Sequence, residues 1–536
     1  MVRGWLLTAY QPVIEPKLAP LLPPRPLRAS PNMGPAPHLK RLGVMGRAFI
    51  LIACASLISR AQGMEARISV LSLSPARVRV EGIRSAGSSV WSFRNTYAGA
   101  IGLAERIESL TLADAAGEVP VRKLAPGEYA AARVATRFRY EVRLDPPVAQ
   151  SDAAHISWLS DDHGLILPGD LLPQPLAGAK IRLSLPMEWR IASVADGDSD
   201  GQFEVADADQ AVFFVSRRLQ ERRARVDSLE LLLATAGTWD IDEAGVMKAA
   251  TDILKEYKES MDGLPCRRAM IVVAPFPRPA GAPQWSAETR GGTVMFLAGT
   301  APVGRAGLTR LSVQLAHELF HLWVPNGLAL DGDYGWFYEG FTLYRAALAS
   351  MKLGWLTFQD YLDAMARAYD GYKLAADHTH LSLLEASQRR WSGATALVYN
   401  KGMLAAFIYD LTLRERTANK LAIYDAYREI FHRHGGAKAR ADGDAAVLGV
   451  LSGTRSMADF INLYVKGADV IDLTIALAPF GLRAERVGGR TRIYVAEDLN
   501  KTQRALLRDL GYEDRAQSVS PRAREQMKKH RALRSQ

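Results

Sequence analysis

From Ile68 to about Ala236 apolar and polar residues tend to alternate. In one run Val134, Thr136, Phe138, Tyr140, Val142 and Leu144 fall on one side and mostly charged neighbours on the other, the period of a half-buried β-strand. Shorter runs occur at Ile68 to Leu73, Arg77 to Val80, Ile181 to Leu185, Val212 to Val215 and Leu229 to Leu233, punctuated by turn formers such as Ala195-Asp196-Gly197-Asp198. Short strands with such punctuation predict a β-sandwich over residues 64–237. At Thr238-Trp239-Asp240-Ile241-Asp242 the period changes, and a helix is predicted from there to Met261. Arg268 to Ala274 and Thr293 to Ala298 read as buried strands, and Pro275 to Pro283 as a Pro/Gly-rich surface loop. Gly307 to Trp323 has the pattern of one amphipathic helix, stopped by Pro325 and Asn326-Gly327. After Tyr344 the period is almost wholly helical. Thr357-Phe358-Gln359-Asp360 is a capping start, and further helices are predicted at Met403 to Leu413, Leu421 to His432 and Met457 to Val465. A short strand at Thr491 to Val495 and a helix at Thr502 to Leu510 precede a basic, polar tail. The expectation is an α+β chain divided at 64–237, 238–350, 351–482 and 483–536.

Charge changes this picture little. The net charge of +10 suggests nucleic acid until it is located. Residues 1–47 hold seven Lys/Arg against one acid and residues 513–536 seven against three, so the body between them is neutral. With no basic stripe to neutralise phosphates, nucleic acid is excluded as an expected partner. Cys54 and Cys266 are the two cysteines, too few for a disulfide framework, and Cys266 reads as a buried apolar filler. Residues 1–63 read as an irregular proline-rich start followed by an export signal. Lys40, Arg41 and Arg47 flank the eleven-residue apolar run Ala48 to Ile58, and small residues lead to Gly63. A membrane span needs about twenty apolar residues. The expected location is therefore periplasmic or secreted, with membrane contact only through an N-terminal anchor; Leu51-Ile52-Ala53-Cys54 also fits a lipoprotein cleavage box. A start at Met33 or Met45 would bring this signal nearer the terminus.

The chemistry sits in the helix Gly307 to Trp323, at His317-Glu318-Leu319-Phe320-His321. Histidines four apart share a helix face, so both imidazoles reach one metal ion, and Glu318, about 100° round the helix from His317, stands beside it. Zinc in a catalytic site takes three protein ligands and keeps one position open. Glu339, in the aromatic-flanked stretch GWFYEGFTLYRAALAS, makes a third ligand available. Tyr399, opening the apolar helix of Tyr399-Asn400-Lys401-Gly402, has two readings, a core tyrosine or a phenol near a metal-bound substrate. His155 and His163 read as surface or turn residues. His378, His380, His432 and His434 read as loop and helix-end residues, because no partner stands at ligand spacing.

Together HELFHLW, WFYEGFTLY, SLLEASQRRW (Ser382 to Trp391) and YNKG followed by LAAFIYDLTLRERT resemble, in order and approximate spacing, the glycyl aminopeptidase family of gluzincin zinc metallopeptidases. The resemblance implies a thermolysin-like catalytic domain after the β-sandwich, a helical C-terminal subdomain, one Zn2+ per chain, and peptide or protein substrates. It further implies His317, His321 and Glu339 as zinc ligands, Glu318 as general base and Tyr399 as oxyanion stabiliser. Two departures stand out. Val324-Pro325-Asn326-Gly327 replaces the tryptophan, asparagine and basic run that usually follow the motif. The family's Gly-Gly-x-Glu strand, whose acid pairs with a substrate's free amine, maps onto Gly291-Gly292-Thr293-Val294-Met295, which has the glycines and lacks the acid; Glu288 is the nearest carboxylate. An aminopeptidase with altered N-terminal specificity is therefore expected. The alternative is a catalytically degenerate peptide-binding or membrane-anchored scaffold of the same fold. Some fifty residues past Ala478 are too few for the PDZ module that many family members carry there, so that module is expected to be missing.

Overall fold

The computed structural model describes residues 63–513, apart from 199, 238–240, 280–284, 303, 437 and 455–456. The expected export signal and lipoprotein box lie outside the described residues, as does the basic tail. A nine-stranded sheet runs in the order Asp196–Gly197, Gln202–Val205, Ala179–Ser184, Met64–Leu73, Ala76–Ser92, Glu128–Arg143, Ile107–Asp114, Gly117–Val119, with Val121–Ala125 paired to Glu128–Arg143. A four-stranded sheet, Arg190–Ala192, Phe213–Ser216, His163–Ile166 and Trp158–Leu159, shares a core with it, Phe213 and Val215 packing with Val78, Phe138 and Ile181. The alternation along Glu128–Arg143 slips once. Phe138, Tyr140 and Val142 are buried as expected, but Val134 is 57% exposed and Ala135 takes the inward place. The cause is a pairing irregularity: Ile83 faces Arg137 and Ser88 faces Ala135, so extra residues on one strand turn its partner over.

A five-stranded sheet follows, ordered Gln220–Val226, Leu229–Thr235, Arg268–Pro275, Thr293–Ala298, Trp285–Arg290. The strand expected at Leu229 to Leu233 forms, but it runs parallel to Arg268–Pro275 and so belongs to this five-stranded sheet rather than to the two N-terminal ones. Both faces are buried. Leu231, Leu233, Ile271, Val273 and Phe296 face the helices, while Leu232, Met270, Val272 and Met295 pack on Trp158, Leu165 and Phe214 of the N-terminal region. Burial on both sides explains why RAMIVVA and TVMFLA read as unbroken apolar runs. Gly291-Gly292, which the resemblance maps onto the family's Gly-Gly-x-Glu strand, is instead the two-residue turn between Arg290 and Thr293, with Gly291 at φ 53°. Thr293–Ala298 is an inner strand, and the edge beside it is Trp285–Arg290.

The later chain is helical. Helices Glu243–Met261, Gly304–Phe320, Thr342–Lys352, Phe358–Leu374, Gly402–Arg416 and Ile423–His434 share one continuous core. Thr357 and Asp360 form the expected capping box. Leu482–Val487 and Arg490–Val495 make a hairpin, and Lys501–Asp509 closes the described chain. The chain thus has a mixed α+β fold with an N-terminal β-sheet region and a helical later part.

Candidate metal centre

Helix Gly304–Phe320 lies against the five-stranded sheet, with every residue from Leu311 to Phe320 buried. The Tyr257 hydroxyl donates to the Ala316 carbonyl at 2.5 Å, fixing the helix one residue before its first histidine. The regular α-helix ends at Phe320, so His321 sits in the closing turn, its N–H bonded to the Glu318 carbonyl at 3.1 Å. His321 Nδ1 lies 2.9 Å from the Val324 carbonyl oxygen. That partner can only accept, so Nδ1 carries a proton, and the ring in its neutral, metal-binding form turns the lone pair of Nε2 inward.

Glu339 and Tyr399 reach the same place from two π-helical turns, Trp336–Phe341 and Leu397–Lys401. Such turns re-aim side chains that a regular helix would direct elsewhere, and they are frequent at functional sites. Two glycines let them touch. A Cβ on Gly340 would lie 2.5 Å from the Gly402 Cα, and one on Gly402 would lie 2.8 Å from the Trp336 carbonyl oxygen. The pairs Glu339-Gly340 and Lys401-Gly402 therefore bring backbones together where any side chain would hold them apart.

His317, His321 and Glu339 converge. His317 Nε2 and His321 Nε2 are 3.1 Å apart, and Glu339 Oε2 lies 3.3 Å from the first and 3.6 Å from the second. A tetrahedral zinc with bonds near 2.0–2.1 Å has donor–donor edges of about 3.3–3.4 Å, so the spacing and chemistry of this donor set fit that ion. All three side chains are buried. Burial alone would raise the Glu339 carboxyl, but the Arg390 guanidinium and both histidines outweigh it and hold the group well below the usual carboxylate range. It is ionised, as a ligand must be.

Glu318 stands beside the triad, 2% exposed. The Thr289 hydroxyl, from the edge strand, lies 2.9 Å from Glu318 Oε2 and 2.8 Å from its carbonyl oxygen. Asn326 Nδ2 donates to the Thr289 and Gly291 carbonyls at 3.2 and 3.1 Å, so the unusual loop after the second histidine ties the helix to the end of the edge strand. Burial pushes the Tyr399 phenol well above its ordinary value although Arg390 draws it down, so it stays protonated and able to donate. Arg390 Nη2 donates to Glu339 Oε1 and to the Tyr399 oxygen, each at 2.6 Å. Thr289 and Arg390 were not singled out from sequence. Arg390 stood inside the motif SLLEASQRRW, and an arginine there beside a tryptophan was the available signal.

Glu288 lies on the true edge strand, and its carboxylate has partners from the N-terminal region. The Tyr97 hydroxyl donates to Oε1 at 2.5 Å, His155 Nδ1 lies 2.5 Å from Oε2, and Arg290 Nε is 3.6 Å away. Burial opposes its ionisation, but Arg290 and His155 prevail and lower its pKa to about 2. Thr289, its neighbour, points to the opposite face of the strand towards Glu318. Of the two histidines noted in this region, His155 occupies a turn, as expected, against Glu288, whereas His163 is a 3% exposed strand residue with Nε2 3.1 Å from the Pro275 carbonyl oxygen. His378, His380, His432 and His434 are not part of the converging group.

No known family model matches the sequence. No curated protein matches it either. Solved structures do. An aminopeptidase N family protein from Idiomarina loihiensis superposes with a TM-score of 0.69 at 17% identity, over 79% of this chain and 79% of that one. An M1 zinc metallopeptidase from Deinococcus radiodurans superposes with a TM-score of 0.51 at 15% identity, over 77% of this chain and 95% of that one. The chain is therefore similar in fold to the M1 aminopeptidase N group of zinc metallopeptidases, and within that fold it carries a buried His-His-Glu cluster.

Proposed function

We propose that the chain is a zinc-dependent peptidase of the glycyl aminopeptidase type, acting outside the cytoplasm on peptide or protein substrates. The observation that carries this reading is the convergence of His317, His321 and Glu339 within 4.8 Å of one another. Glu318 and Tyr399 complete the proposed machinery. Bound zinc would supply Lewis acidity, polarising the scissile carbonyl and making a water acidic enough to attack near neutral pH. Glu318, oriented by Thr289, takes a proton from the attacking water and passes it to the leaving amine. Tyr399 donates a hydrogen bond to the oxyanion that develops on the substrate, an interaction strongest in the transition state. The edge strand Trp285–Arg290 offers backbone groups to an extended peptide. Export rests on the basic flank and apolar run before Gly63.

Specificity for a free amino terminus is proposed to be weak. The carboxylate nearest the expected position is Glu288, and both of its oxygens already have donors. A substrate ammonium gains little from an acid whose charge is met by Arg290 and His155. Measuring bound zinc and turnover of a short peptide for wild type beside Glu318→Gln tests the main reading. The variant should keep stoichiometric zinc and lose activity by about 10²- to 10⁴-fold. Full activity in that variant, or a wild type that binds no zinc, removes it in favour of the degenerate scaffold.

A further inference from the structure

We propose that Arg390 is the positioning residue of this centre, one guanidinium nitrogen clamping the outer oxygen of the ligand Glu339 to the phenol oxygen of Tyr399. The Tyr399 half of the inference rests on the peptidase reading; the Glu339 half rests on the donor geometry alone.

The residue is placed with care. Helix Leu383–Gln388 starts at a capping box of Ser382 and Glu385 and is tied to the Glu339 turn by the Trp336 N–H, which donates to Ser387 Oγ at 2.8 Å. Arg390 follows in the short turn Arg390–Ser392, its carbonyl accepting from Thr395 Oγ1 at 2.5 Å. Its guanidinium lies over the Trp391 ring, 4.3 Å from the centroid, and Nη1 donates to the Tyr338 hydroxyl at 3.2 Å. The residue, 7% exposed, is thus fixed before it meets the site.

Its two contacts through Nη2 have different consequences. A guanidinium only donates, so Glu339 Oε1 is occupied and Oε2 alone is left facing the two histidine nitrogens. The carboxylate is thereby set to bind a metal through one oxygen. The same nitrogen makes the Tyr399 oxygen an acceptor, so the phenol proton is directed away from Arg390 and towards Glu339, with which the phenol also hydrogen-bonds, on the side of the centre where an oxyanion would develop. A counter-ion needed only to bury Glu339 would have no reason to hold the phenol at the same 2.6 Å. Lysine cannot replace this arrangement, because a point charge lacks the planar fork and the stacking on Trp391.

The test uses the full chain with Arg390→Met, Arg390→Lys, Tyr399→Phe and the double variant Arg390→Met/Tyr399→Phe. Melting temperature is measured for each, zinc affinity by chelator competition, and the absorption spectrum after Co2+ replacement. Loss of a partner that orients a ligand typically weakens metal affinity or activity by about 10- to 100-fold. We expect Arg390→Met to weaken zinc in that range, to alter the cobalt spectrum, and to lower kcat by a similar factor with KM within about threefold. Arg390→Lys should recover zinc affinity in part and kcat hardly at all. The double variant should fall less than about threefold below Tyr399→Phe in kcat, since the clamp acts on turnover through the phenol. Multiplicative losses in the double variant overturn the Tyr399 half. A folded Arg390→Met, or Arg390→Lys should the first not fold, with wild-type zinc affinity and an unchanged cobalt spectrum overturns the Glu339 half. If the wild type cleaves no peptide, the peptidase reading and the Tyr399 half fail together, while zinc affinity and the cobalt spectrum still decide the Glu339 half.

Discussion

Around Glu288 and around Glu339 the chain assembles the same residue types, a largely buried carboxylate with arginine, histidine and tyrosine. Around Glu288 each acceptor meets a donor: the Tyr97 hydroxyl on one oxygen, His155 Nδ1 on the other, and Arg290 alongside. Nothing is left to bind. Around Glu339 the arginine engages Oε1 and the tyrosine bonds to the same carboxylate, but Oε2 faces two imidazole nitrogens, one of them committed as an acceptor by the His321–Val324 bond. Lone pairs converging on one point in a buried space are costly unless a cation lies among them. Composition therefore does not separate a structural ion-pair cluster from a metal centre; the direction of the lone pairs does.

The comparison breaks first, and hardest, at the metal ligands. His321→Ala or Glu339→Ala leaves two protein donors, and both should lose stoichiometric zinc with essentially all peptidase activity. Zinc retained by Glu339→Ala after dialysis against a mild chelator would show that the convergence is a packing accident like the Glu288 cluster. Next comes Tyr399→Phe, which removes one hydroxyl. It should lower kcat by roughly 10²- to 10³-fold with zinc content and KM nearly unchanged. A merely structural tyrosine, the role Tyr97 has beside Glu288, would instead lower the melting temperature and spare turnover.

How much of this was legible follows from which partners are local. The HExxH helix carries two ligands and Glu318 within five residues, so helical periodicity was enough to align them. Glu339 and Tyr399 were found as residues but not as geometry, because the π-helical turns and the Gly340–Gly402 approach leave no mark on a 3.6-residue period. Trp285–Arg290 was missed as a strand because its inward face is polar. Ser286 donates to the Ser151 carbonyl, Glu288 meets Tyr97 and His155, and Arg290 donates to the His155 carbonyl, so a pattern that looks solvated is buried against another part of the chain. Arg390, for all its place in the SLLEASQRRW motif, was passed over for a related reason. Its partner Glu339 is 51 residues away, and a charge in a polar stretch reads as surface until that partner is placed.

A smaller effect concerns the Glu288 cluster itself. Its carboxyl has a folded pKa of about 2 against an ordinary 4.5. A depressed folded value means that the stabilisation is complete above pH 4.5 and is lost as pH falls through 2, a contribution of up to about 3 kcal/mol. Glu288→Gln should therefore lower the melting temperature at pH 7, with the deficit shrinking below pH 4.5. Peptidase activity and zinc content should change little. The ratio of rates for one short peptide with free and acetylated amino terminus should stay below about tenfold in wild type and variant alike. A hundredfold preference for the free amine, abolished in Glu288→Gln, would make Glu288 a substrate-binding acid and erase the contrast between the two clusters.

The smallest expected effect sharpens the same contrast with a third buried cation. Lys401 follows Tyr399 by two residues on the same π turn and is fully buried, yet no carboxylate lies within 4.0 Å of it among the described residues; its contact is the Gly467 carbonyl at 3.4 Å. Burial lowers its pKa to about 8 from an ordinary 10.5, with Asp469 and Glu385 pulling weakly the other way. Unlike Arg290 and Arg390 it is charged without a close counter-ion, so it should cost stability. The sign follows from proton counting. Between pH 8 and 10.5 the unfolded chain binds the proton that the folded chain has released, so stability rises with pH across that window and the cost is full below pH 8. Lys401→Met, similar in length and apolar, should raise the melting temperature at pH 7 by a few degrees, about 1–3 kcal/mol, and the gain should shrink towards pH 10. Calorimetry of both proteins at pH 7 and pH 9.5 reads the difference. A gain that does not change with pH would mean that the lysine acts through packing rather than charge, and an unstable Lys401→Met would mean that it is paired as well as the two arginines are.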